Sequence, residues 1–336
     1  MSFKDLIVKR VEGELATALL KFFPLHKRGF VKVGQKKWFL PYRYVEDGDK
    51  IYNFEVRADD TWIVTYPRSG TTMTQELIWL VANNMNFNEA HQRYLLERFP
   101  FVEIGAILDD HMVPQYIPDR INTKKHSFKF VQDQLSPRFI KSHLPFELLP
   151  TVVNSTCKVY FEYFIIYVAR NPKDVAVSYY IFHKHFMDFQ GTFEQFCNNF
   201  MNNNVLWSPY WEHVKEAWKM RHRANMMFIF YEDLIKNLPR NIKEIAAFFD
   251  KTYNDEQINK LVEHLKIENF RKNPMVNHPS PDKTMKPDMF IRQGKTDSWK
   301  EILAPEIEDR FNKWITDNLK DTDLTFPNLV EQYKQL

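Results

Sequence analysis

Thr61-Trp62-Ile63-Val64-Thr65-Tyr66-Pro67-Arg68-Ser69-Gly70-Thr71-Thr72-Met73 is the stretch on which the fold turns. Residues 61–66 are apolar or β-branched and read as a buried strand. Pro67 to Gly70 break it. From Thr71 to Val81 the apolar residues return at helical spacing, with Met73, Leu77, Trp79 and Leu80 on one face. The backbone N–H groups at such a helix start are unpaired, and the helix dipole adds positive potential there, so strand, turn and helix together make an anion site. Gly70 lets the backbone approach a phosphate closely. Ser69, Thr71 and Thr72 add hydroxyl donors, and Arg68 adds a fixed charge. An ordinary capped helix would use the same Ser and Thr. The loop is not of the Walker A type, because the first glycine and the Gly-Lys pair are missing.

Working outward, Arg138–His143 reads as a short strand stopped by Pro145. Phe164–Ala169 is another strand, and Pro172 opens a helix through about Tyr180. Met226–Tyr231 is a further strand, followed by a helical stretch around Ile242–Phe249. Ser208–Arg221 and Glu306–Leu319 also carry helical spacing. This alternation predicts an α/β fold: a P-loop-type central parallel sheet flanked by helices on both faces. One domain over 1–336 is expected, with 1–59 packing on the core and the polar segment 119–137 forming a surface loop or lid. Ligands in such sheets sit beyond the carboxyl ends of the strands, where the loaded residues of this chain fall.

Apolar residues make up 44% of the 336, enough for a sizeable core. Lys and Arg total 46 against 43 Asp and Glu, and the resulting net charge of +3 argues against a nucleic-acid binder while leaving room for a local basic pocket. The 29 Phe suit a greasy small-molecule pocket, with Tyr94, Phe99, Phe101, Phe182 and Phe186 as candidate walls. Cys157 and Cys197 build neither a disulfide framework nor a Cys-based metal site, which points to a reduced compartment. Charges interrupt the stretch from Met1 to Phe23, so no signal-peptide core is expected. The run Val159–Ala169 contains Glu162 and is too short to span a bilayer. The expectation is a soluble, cytoplasmic protein.

Lys141-Ser142-His143-Leu144-Pro145 ends the second strand. Its histidine is either a satisfied polar residue or a base, since a neutral imidazole suits removal of a hydroxyl proton near neutral pH. The ammonium of Lys141 would steady developing negative charge. Tyr167-Val168-Ala169-Arg170-Asn171-Pro172-Lys173-Asp174 ends the third strand, with Ser178 one helical stretch on. Arg170 there is either an anion clamp beside a helix start or a surface residue paired with Asp174.

These segments resemble the cytosolic sulfotransferases, and the likeness runs from about Asp60 to the C-terminus. The first resembles the family's 5′-phosphosulfate loop, TYPKSGTTW, with Arg68 for its Lys and Met73 for the Trp that stacks on adenine. Thr74-Gln75-Glu76-Leu77 looks most like insect members, including the retinol dehydratase branch. Lys141 to Pro145 matches K-[TS]-H-L-P, and Tyr167 to Tyr180 follows YVARNxKDVAVSYY. Phe290-Ile291-Arg292-Gln293-Gly294 resembles the late R-K-G loop, with Gln293 for Lys and Lys295 alongside; Asp297 and Ser298 replace the Gly and Asp that follow.

The resemblance implies the donor PAPS, the product PAP and no metal. It implies His143 as general base, with Lys141 and Arg68 stabilising the transferring group. Ser69, Gly70, Thr71 and Thr72 would hold the phosphosulfate, and Arg170, Ser178, Arg292, Gln293 and Gly294 the 3′-phosphate. Met73, Tyr231 and Ile267 would meet the base. The acceptor would be a small lipophilic hydroxyl compound. The family's dimer segment maps to Lys300, Ala304-Pro305 and Asp309 with its central pair lost, so a monomer or a different dimer is expected. About six residues at 159–164 look extra, and an insertion there endangers the register of the strand bearing Arg170. A P-loop kinase, or a lipophilic-ligand carrier with impaired donor use, are the competing readings.

Overall fold

In the computed structural model of the protein, the residues described are 3–109, 127–150, 153, 163–277, 290–292, 294–327 and 329. Three short strands, β1 (Val8–Arg10), β2 (Phe30–Val33) and β3 (Trp38–Pro41), form an antiparallel sheet near the N-terminus. It is stitched to the body by Phe39 N to Ser208 O (2.8 Å) and Trp207 N to Phe39 O (2.8 Å). Phe30, Trp38 and Phe39 are buried in the same cluster as Val64, Tyr66 and Tyr167.

The main sheet contains β4 (Thr61–Thr65), β5 (Phe139–Ser142), β6 (Phe164–Ala169) and β7 (Met226–Phe230) in the order β5-β4-β6-β7. Every pairing is parallel. All of β4 is buried, as a central strand covered on both faces must be. Side chains alternate along it: Trp62 and Val64 join one cluster with Tyr167, Ile63 the other with Ile166 and Val168. Helices Pro172–Phe186, Tyr210–Met220 and Pro305–Leu319 cover the first face, and Thr71–Ala82, Leu238–Phe248 and Asp255–Leu265 the second. This is the predicted architecture. No described helix is long and apolar enough to cross a membrane.

The differences from the sequence reading are local. The helix opened by Pro172 runs to Phe186 rather than to about Tyr180, because Phe182 and the buried His183 keep packing against aromatic neighbours. Tyr231 does not end β7 but begins the helix Tyr231–Lys236. Residues 119–126 and 159–162 lie outside those described. Within the polar segment Ser127–Gln132 is helical, and its Val131 is fully buried. β6 keeps an unbroken register from Phe164, which pairs with Thr61, to Val168, which pairs with Thr65, so Arg170 is presented in register with β4.

Candidate functional site

A cavity of about 530 Å³ lies beyond the carboxyl ends of the four parallel strands. Arg68 follows β4, Lys141 and His143 come from the end of β5, Arg170 follows β6, and Tyr231 follows β7; all of them line it. Parallel strands put their ends on one edge of the sheet, and four loops from that edge converge on one space.

The loop after β4 turns sharply. Arg68 takes φ 69° and Gly70 φ 94°, and the helix begins at Thr71. Tyr231 packs directly beneath Gly70, so a Cβ added there would lie 2.2 Å from the ring. Thr71, Thr72 and Met73 line the cavity. Ser69 is fully buried, and its Oγ has no hydrogen-bond partner among the described residues.

His143 is held from several sides. Its Nδ1 lies 2.8 Å from the Thr65 carbonyl and 3.1 Å from Thr65 Oγ1, which in turn meets Thr71 Oγ1 at 2.7 Å. A carbonyl can only accept, so Nδ1 carries the proton and Nε2 is left as the basic nitrogen. The His143 backbone N–H donates to Glu103 Oε1 at 2.5 Å, and Ser142 Oγ donates to Oε2 at 2.9 Å. The rings of Phe101 and Trp207 stand edge-on to the imidazole at 5.1 and 5.4 Å. Burial, and then the Lys141 charge, hold the imidazole well below its ordinary range, so it is neutral. Lys141 Nζ sits 4.4 Å over the Phe101 ring. Burial pulls its pKa down to about 8, against the pull of Glu103.

Arg68 donates from Nε to Ser178 Oγ (3.1 Å) and from Nη2 to the Phe290 carbonyl (3.0 Å). Its guanidinium lies between the Phe182 and Phe290 rings, at 5.3 and 5.4 Å. Burial, then the charges of Arg170 and Arg292, lower its pKa to about 10. Arg170 donates to the Arg68 carbonyl (3.1 Å) and the Lys295 carbonyl (2.9 Å) and stacks 4.9 Å over Tyr231. Arg170 Nε and Arg292 Nη1 are buried without partners among the described residues. Guanidinium groups crowded together with unspent donors fit a polyanion, and Ser178, Arg292 and Gly294 line the same region.

The late segment is pinned by side chains that the sequence left unassigned. Asp174 accepts from Asp297 N (2.8 Å), Ser298 Oγ (2.8 Å) and Trp299 N (3.3 Å). Asp297 takes φ 61°, a left-handed conformation that Asp tolerates better than most residues. Arg271 holds the Ile291 and Arg292 carbonyls. Gln293 lies outside the described residues. Ile267 and Met73 both line the cavity, with Leu265 beside them.

Of the candidate pocket aromatics, Phe101 and Phe182 line the cavity. Phe99 does not: it is fully buried against Phe139. Phe186 stacks behind Phe182, and Tyr94 caps the short helix Leu95–Arg98. Sequence reasoning missed Glu103, Trp207 and the carbonyl of Thr65. Glu103 had one signal, a lone carboxylate inside the apolar run 99–107.

A family model described as a sulfotransferase domain matches residues 58–323. The luciferin sulfotransferase of Photinus pyralis is 30% identical over 320 residues, covering 90% of this chain and 83% of that protein. Sulfotransferase 4A1 of Mus musculus is 32% identical over 282 residues, covering 83% and 86%. Among solved structures, retinol dehydratase in complex with retinol and PAP is similar with a TM-score of 0.87 at 33% identity, over 96% of this chain and 99% of that one. The same protein with androsterone and PAP gives 0.85. On this likeness, which spans the sheet and every loop around the cavity, the chain belongs to the sulfotransferase family.

Proposed function

We propose that the chain transfers the sulfuryl group of PAPS to the hydroxyl of a small lipophilic acceptor, a phenol, steroid, retinoid or other alcohol, releasing PAP and needing no metal. His143 is the general base. Its Nε2 takes the hydroxyl proton as the acceptor oxygen bonds to sulfur, and the sulfur–oxygen bond to the phosphate breaks with its electron pair on the phosphate side. Lys141 and Arg68 offset the charge that builds on that oxygen. The turn Ser69–Thr72 holds the phosphosulfate. Arg170, Ser178, Arg292 and Gly294 hold the 3′-phosphate, with Gln293 in the same segment. Met73, Ile267 and Tyr231 meet the base.

The observation that carries this reading is the neutral imidazole of His143, its Nδ1 tied to Thr65, sharing one cavity with Lys141, Arg68 and Arg170. The unspent donors of Arg170 and Arg292, both of which line the cavity, support a doubly phosphorylated donor. The apolar side walls, Phe101, Phe182 and Trp207, support a greasy acceptor, as do the retinol, androsterone and luciferin of the similar proteins' names. The test is transfer of labelled sulfate from PAPS to a panel of phenols and alcohols, with EDTA present. Turnover with ATP and Mg²⁺ but not with PAPS ends the proposal, as does the absence of PAP binding.

A further inference from the structure

β5 is an edge strand of the main sheet, and its outer edge is taken by the strip Pro100–Glu103. Lys141 N donates to the Pro100 carbonyl (2.8 Å) and Val102 N to the Lys141 carbonyl (3.0 Å). The strip carries two functional features two residues apart. Phe101 is a cavity wall beside His143 and under Lys141. Glu103 is fully buried and spends both carboxylate oxygens on the strand end that bears the base, one on the His143 N–H and one on the Ser142 hydroxyl.

A buried carboxylate is costly, and such groups persist where their hydrogen bonds and a nearby opposite charge offset desolvation. Here the nearby cation is Lys141. Burial pushes the Glu103 carboxyl up to about 7; the hydrogen bonds from the His143 N–H and the Ser142 hydroxyl, and after them the Lys141 charge, pull it back, and Glu103 in turn raises Lys141 against its own burial. We infer that Glu103 is a positioning residue for the transfer: it fixes where the His143 ring stands, and its negative charge keeps Lys141 an ammonium. The inference rests on the roles of His143 and Lys141 given under the proposed function.

The other groups facing this cluster come from elsewhere. Arg68, from the loop after β4, disfavours the Lys141 charge. Tyr44, from the helix Tyr44–Tyr52, faces Glu103 and is kept neutral by burial. His213, from the helix Tyr210–Met220, donates Nε2–H to the His143 carbonyl (2.9 Å) and accepts from the Tyr167 hydroxyl (2.8 Å). Burial lowers His213 to about 4, so it stays uncharged at working pH.

Glu103→Gln keeps the volume and an acceptor and removes the charge. The readout is the pH profile of kcat beside PAP affinity by calorimetry. Losing the opposite charge of this buried cluster moves the alkaline limb down by about one pH unit, so the ratio of kcat at about pH 6 to kcat at about pH 8 rises roughly fivefold. PAP affinity at about pH 6, where Lys141 keeps its proton in both proteins, stays that of the wild type. An unmoved limb overturns the inference, whatever happens to the thermal stability. Should Glu103→Gln not accumulate folded, Glu103→Asp takes its place: it keeps the charge but shortens the reach, and is expected to keep the limb and lose kcat at every pH. Wild-type kcat in Glu103→Asp overturns the inference too. A wild-type protein that transfers no sulfate from PAPS sinks the underlying function instead, which keeps the two failures apart.

Discussion

Gly70→Ala puts the floor of the loop after β4 to the test. Gly70 stands at φ 94°, and a Cβ there would lie 2.2 Å from Tyr231 Cδ2 and 2.5 Å from Cε2, where ordinary contact begins at 3.4 Å. The ring must therefore retreat by roughly 1.2 Å, and it is 5% exposed with the Arg170 guanidinium over its face. The left-handed backbone costs alanine ~1–2 kcal/mol and forcing the buried ring aside ~1–3 kcal/mol, together about 2–5 kcal/mol. At roughly 1.4 °C per kcal/mol for a chain of 336 residues, the melting temperature is expected to fall by roughly 3–7 °C. Because the displaced ring carries Arg170 with it, the stabilisation by added PAP should shrink as well. Gly29→Ala is the matched control: its φ is 82°, but a Cβ there meets nothing within 4 Å. It should show only the backbone cost and an undiminished PAP effect. Thermal unfolding with and without PAP reads all of this. Gly70→Ala melting with Gly29→Ala and keeping the full PAP shift would refute the close packing of Tyr231 under the loop.

The other predictions concern charge and chemistry. His143→Ala should retain PAP binding by calorimetry while kcat falls about 10²–10⁴-fold, the usual contribution of a general base; full activity removes His143 from the mechanism. Arg170→Ala should weaken PAP by about 10-fold or more, in the range for a lost charge-assisted contact, yet change affinity for adenosine 5′-phosphosulfate far less, because that nucleotide lacks the 3′-phosphate. Equal losses contradict the assignment. In the wild-type pH profile, Lys141, lowered to about 8, loses its proton as pH rises, so kcat should fall through that region. His143, held well below its ordinary range, should keep its base form available throughout mildly acidic pH, so an acid limb near pH 6.5 argues against it as the base.

Much of the molecule is legible in the chain because its signals are local. The apolar and β-branched runs of β4 and β6 announce strands covered on both faces, and Pro67 to Gly70 announces the turn between strand and helix. Boundaries slipped where packing outvoted local preference. The helix from Pro172 outran its expected end because His183 finds aromatic partners far away in sequence, among them Phe23 and Phe196. Phe99 and Phe101 carry the same side chain two residues apart, and composition cannot separate them; one is core, the other a cavity wall.

By itself, then, the chain determined the succession of strands and helices, the turn from Pro67 to Gly70, and the residues Arg68, Lys141, His143 and Arg170 as the ones to watch, since each depends on neighbours a few positions away. Only the tertiary structure decided which nitrogen of His143 is basic, through the Thr65 carbonyl on the adjacent strand, and how Lys141 is charged, through burial beside Glu103. Tautomer and charge follow from the distance to groups that share no sequence neighbourhood, and those distances exist only once parallel strands bring their ends to one edge.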